Sequence, residues 1–155
     1  MKKVLLAVLI AVFTIGAYAQ STEEVDLVQA AFGIEKKEIV MNYVKVSEKQ
    51  KAAFMEVYEK YEVERKELGK TRIDLLNQYA NQWENITNEQ ADQWMKKVMA
   101  LSIKQDKLIK KYYNKVKSVT DAKVATQFYQ IEAYILTTIR YSILESIPFI
   151  DENKN

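Results

Sequence analysis

The chain has 155 residues, with 23 basic and 21 acidic side chains, three glycines, one proline, and neither cysteine nor histidine. Those absences remove thiolate and imidazole nucleophile–base pairs, and zinc sites built on such ligands. Gly33 and Gly69 are the only glycines beyond residue 16, so there is no Gly-rich phosphate loop and little to punctuate strands, and the chain reads as all-α.

The opening residues are set apart from the rest. Lys2 and Lys3 precede an almost unbroken apolar run from Val4 to Gly16, and Ala17 and Ala19 are small residues at the two positions a signal peptidase reads. Residues 1–19 therefore read as a secretory signal peptide, cut before Gln20. The run is shorter than the roughly 18 residues a spanning helix needs, so no transmembrane segment is expected after cleavage. Lys2 and Lys3 take the basic excess with them, leaving 21 charges of each sign. Residues 20–155 are expected to form a single all-helical domain, long enough to bury a core without staples.

Four helices are expected in chain order. The first runs from Thr22 to about Tyr43, opened by "STEE" and carrying Val25, Val28, Phe32 and Ile39 inward. The second opens at Ser47, with Phe54, Val57, Tyr61, Leu68, Leu75, Tyr79 and Trp83 on its apolar stripe; unbroken it is roughly 50 Å long, and Gly69 is where a kink is expected. The third opens at Thr87, ends near Lys117, and buries Trp94, Val98, Leu101, Leu108, Tyr112 and Val116. The fourth carries Val124, Phe128, Ile131, Ile135, Ile139, Ile143 and Ile147 at intervals of three or four, and Pro148 stops it. Short connections make neighbours antiparallel, giving an elongated helical hairpin or bundle.

A repeated phrase marks the helix starts. "VSEKQKAAF" begins at Val46, "ITNEQADQW" at Ile86, and a looser "VTDAKVATQF" at Val119. Ser47 and Thr87 are placed as N-caps with Gln50 and Gln90 three residues on, the spacing of a capping box, and Val46, Ile86 and Val119 stand where a hydrophobic staple packs on the first turn. Thr120 is the expected third cap, although Lys123 replaces the Gln. The plainest meaning of the phrase is helix start and core contact.

Three such phrases behind a signal peptide, in a small helical chain, resemble the LTxxQ-motif proteins, the Spy and CpxP group of the bacterial periplasm. Val46, Ser47 and Gln50, then Ile86, Thr87 and Gln90, then Val119 and Thr120 match the motif, with Val or Ile in place of Leu. The resemblance implies a periplasmic protein forming a curved helical hairpin that dimerises into a cradle. It further implies ATP-independent chaperone activity toward unfolded proteins, or docking on an envelope stress sensor. Chaperone members tend to be basic, whereas this exported chain is neutral.

Charge is nonetheless concentrated. Residues 86–118 hold eight lysines against Glu89, Asp92 and Asp106, a net +5. Lys104, Lys107, Lys110, Lys111, Lys115 and Lys117, interleaved with Tyr112 and Tyr113, make a candidate surface for acidic partners or unfolded chains. The plainer reading pairs these lysines with Glu59, Glu62 and Glu64. A nucleic-acid role needs a cytosolic protein, against the signal peptide.

Catalytic chemistry finds no footing. Glu62 and Glu64 lie on different helix faces and are not a carboxylate pair. Met95 and Met99 share a face and could hold a soft ion, but methionines at that spacing read as core filler. The expectation is a protein that is no enzyme and uses no cofactor or metal. Its aromatic residues, too many for a thin helical layer to cover, imply a homodimer with one face left open.

Overall fold

The computed structural model describes residue 33 and residues 35–150. The signal segment and the expected "STEE" start of the first helix lie outside the described residues. Within them the chain is all helical. A short helix α1 (35–43) is followed by α2 (Glu48–Ala80), a turn of 3-10 helix (Trp83–Asn85), α3 (Asn88–Val119) and α4 (Ala122–Ser146). Trp83 belongs to that turn rather than to the α2 stripe. Helix α2 is unbroken through Gly69.

Helices α2 and α3 are antiparallel, as are α3 and α4, and α2 and α4 meet through side chains at both ends. Tyr61 is the hub. Its ring packs edge-on against Tyr112 of α3 at 5.2 Å and Phe128 of α4 at 5.3 Å. Phe54 and Tyr58 continue the ladder along α2, with centroids 6.1 Å apart. At the far end Tyr79 stacks on Trp94 at 4.5 Å and donates its hydroxyl to the carbonyl of Pro148 at 2.6 Å. The Trp94 indole donates to the carbonyl of Leu75 at 2.8 Å. Both aromatic anchors therefore bury rings while giving their polar atoms partners.

The expected stripes are recovered in large part, with Ile39, Leu68, Trp94 and Val98 partly rather than fully buried and two further differences. Tyr58, rather than Val57, takes the deep position between Phe54 and Tyr61; both spacings fit a helical period, and the larger ring fills the space where three helices converge. Ile139, Ile143 and Ile147 are only half buried.

The three repeated phrases do three different things. Thr87 forms a complete box: its hydroxyl accepts from the Gln90 amide at 3.2 Å, and the Gln90 side chain accepts from the Thr87 amide at 2.9 Å. Ser47 has the extended backbone of a cap, but its hydroxyl is spent on the Gln50 side chain at 2.7 Å and caps no amide. Thr120 is no N-cap at all. It ends α3, with its hydroxyl donating back to the carbonyl of Val116 at 2.6 Å. Asp121 caps α4 instead, accepting from the amides of Lys123 and Val124 at 2.8 and 3.0 Å. A carboxylate holds two amides at once and places negative charge at the positive end of the helix, so it outcompetes the neighbouring hydroxyl.

These differences order the caps by stability. Thr87→Ala and Asp121→Ala should each lower the unfolding free energy by about 1 kcal/mol, and Ser47→Ala by only a few tenths of that. Urea titrations of the three variants check the order.

Candidate functional site

Two features stand out from the packed aromatic core: a charged junction inside the bundle and a mixed apolar and basic surface on α3. The junction centres on Lys36 of α1, whose side chain is 1% exposed. Its ammonium donates to Glu132 of α4 at 2.6 Å and to Glu62 of α2, and lies 4.8 Å from the centre of the Tyr61 ring. The Tyr61 hydroxyl donates to the second oxygen of Glu132 at 2.7 Å, and Arg65 holds both oxygens of Glu62 at 3.0 Å. Every carboxylate oxygen of the junction has a partner. Removing one member of a buried pair of this kind costs about 3–5 kcal/mol, because it strands the other charge.

Further along, Arg72 of α2 donates to Gln105 of α3, and Arg140 of α4 reaches Ser102 at 2.8 Å and Asp106 at 3.0 Å on the same turn of α3. Burial, with Arg140 and Arg65 nearby, lowers the pKa of Arg72 to about 10, so it stays charged at neutral pH. Sequence reasoning missed this layer. One signal was present: Glu132 is four residues beyond Phe128, on the flank of the α4 stripe, where a carboxylate requires a cation.

The lysine-rich segment divides in two. Lys111 pairs with Glu64 of α2 at 2.7 Å, and Lys115 lies 4.7 Å from the centre of the Tyr112 ring, so this side of α3 is tied to α2 as the plainer reading supposes. Tyr112 is 1% exposed, with its hydroxyl donated to Glu64 at 2.8 Å; it belongs to the core and is not available to a partner. Among the described residues Lys96 pairs within α3, with Asp92. Lys104, Lys107, Lys110 and Lys117 are exposed and make no ion pair among the described residues. Glu59 and Glu62, the other expected counterions, are taken by Lys37, Lys36 and Arg65.

Lys107 and Lys110 flank an open groove of about 620 Å³ between α3 and α4, with Ile103, Asp106, Tyr113, Thr126 and Tyr129 completing its lining. Tyr113 and Tyr129 close one end, edge to face at 6.2 Å. Met95, Met99 and Ile103 continue along α3 at four-residue intervals and are 41%, 51% and 55% exposed. The methionines are therefore not core filler. They lie on the outer side of α3, away from Leu101 and Leu108, and α4 does not reach across to cover them. Among the described residues no group of three or more carboxylates could hold a metal ion, and no helix is long and apolar enough to cross a membrane.

The buried hydroxyls carry a pH dependence. Burial, reinforced by Glu132 and Glu62, holds the Tyr61 and Tyr58 protons well above the ordinary range, and burial with the Glu64 bond pushes Tyr112 up to about 12. Their folded pKa values exceed the unfolded value near 10, so their contribution to stability is complete below about pH 10 and declines above it, through about 12 for Tyr112 and to still higher pH for Tyr58 and Tyr61. Denaturant melts across that window should show stability falling with tyrosine ionisation, and Tyr112→Phe should make the fall shallower.

No protein-family model matches the chain, and comparison with curated proteins and with solved structures returns no match.

Proposed function

We propose that the chain is an exported, periplasmic, ATP-independent polypeptide-binding protein of chaperone-like character, akin to the LTxxQ-motif group, and not an enzyme. The observation that carries this reading is the row Met95, Met99 and Ile103, left in water beside Lys104, Lys107 and Lys110. Apolar side chains concentrated on one helix face mark an interaction site more often than scattered ones do. Methionine suits such a face because its flexible thioether adapts to differing partners. Unpaired lysines on the rim draw acidic segments in by long-range attraction. The repeated phrases support the reading only weakly, since their work in this chain is to begin and end helices.

A regulatory role, docking on an envelope stress sensor without general chaperone activity, is the second reading. The clustering of the lysines around one groove favours it, because a localised slot suits one particular segment of one partner.

Mixed without nucleotide with a thermally unfolding client, the purified protein should suppress light scattering near stoichiometric ratio. Suppression that requires ATP, or none at any ratio, would remove the chaperone reading and move weight to the regulator.

A further inference from the structure

We infer that the seam between α3 and α4 is a docking groove for one amphipathic α-helix of an acidic partner protein. This rests on the polypeptide-binding reading above and narrows it to one kind of segment.

The shape of the seam comes first. On α3 the groove is lined from Ile103 to Tyr113, a rise of about 15 Å, and the exposed Met99 and Met95 carry the apolar row on along the same helix to about 27 Å, or five turns of an occupant lying alongside. The apolar surface is linear: the exposed Met95 and Met99 on α3 lead to Ile103 in the groove, and then to the paired rings of Tyr113 and Tyr129. A helix laid along such a surface contributes anchors at i, i+3 or i+4, and i+7, close to the four-residue step of Met95, Met99 and Ile103.

Backbone chemistry selects a helix over an extended strand. Both walls are regular α-helices whose amides and carbonyls are already bonded within α3 and α4. An extended peptide would find no backbone partners there and would bury its own polar groups unpaired, whereas a helix arrives with its backbone satisfied.

Charge selects the sign of the partner. Lys107 and Lys110 line the rim without ion pairs among the described residues, and the one carboxylate of the groove, Asp106, is already neutralised by Arg140 at 3.0 Å. The groove therefore presents net positive charge with little to repel an anion. The same charge argues against a second copy of this chain, because a two-fold contact through the seam would set these lysines against themselves.

The test uses the purified protein and a fluorescently labelled synthetic helix of about 18 residues, with Leu and Ile on one face and Glu on both flanks. Two controls accompany it: a scrambled peptide of the same composition, and one with Lys in place of Glu. Anisotropy titrations should show the acidic amphipathic helix binding at least about tenfold more tightly than either control, with affinity falling as salt is raised. Lys107→Glu with Lys110→Glu should weaken binding about tenfold, and so should Met99→Ser with Ile103→Ser, with helical circular dichroism unchanged. Equal binding of the scrambled peptide would overturn the proposal, as would indifference to the lysine reversal. So would binding to anionic lipid vesicles with none to the peptide, or a sedimenting dimer that Met99→Ser dissociates. If unfolded clients are held but the helix is not, this inference falls while the broader reading stands; if neither is held, both fall.

Discussion

The bundle depends on one buried cation. Lys36 sits in the interior at the junction of three helices, and its charge is tolerable only because Glu132 and Glu62 both reach it while Tyr61 and Arg65 satisfy the remaining carboxylate oxygens. That requirement fixes the placement of α1 against α2 and α4. Sliding any of the three by one turn would strand a charge among Tyr58, Tyr61 and Phe128. Apolar packing alone tolerates such a slip more readily, since a helical stripe looks similar one turn along.

Fixing α1 on that flank has a consequence on the other. The short helix covers the side shared by α2 and α4, where Val40 and Val44 join the core. Nothing among the described residues does the same for the outer side of α3 and α4. Arg140 crosses that seam to Ser102 and Asp106, but a single side chain does not cover Met95, Met99 or Ile103. Among the described residues one flank is thus closed by charge and aromatic packing and one is left open, with exposed apolar side chains and lysines beside them.

Much of this fold was legible in the sequence, and the failures have physical causes. Hydrophobic periodicity located the long helices and most of the core, because burial of a stripe is the main reason each helix forms. The caps were read less well. Ser47, Thr87 and Thr120 look alike in a phrase, but a hydroxyl caps only if nothing nearby offers a better bond, and Gln50 or the carbonyl of Val116 did so in two of the three. The site divides in the same way. Exposed lysines on α3 were anticipated, whereas Tyr112 was assigned both to the core stripe and to the surface, and only the core assignment holds. Met95 and Met99 look like core filler in sequence because spacing alone does not say which face of a helix its neighbours cover. Lys36, Glu62, Arg65 and Glu132 could not be matched from spacing, since Lys36 and Glu132 are 96 positions apart along the chain.

If the exposed face of α3 serves binding and not folding, the two roles separate in a single variant. Met99 and Ile103 are exposed, so replacing both by Ser should change the unfolding free energy by no more than about 0.5 kcal/mol. This variant should melt like the parent protein but lose most of its ability to suppress client aggregation. Suppression equal to that of the parent, or a stability loss above about 1 kcal/mol showing that these side chains are structural, would contradict it.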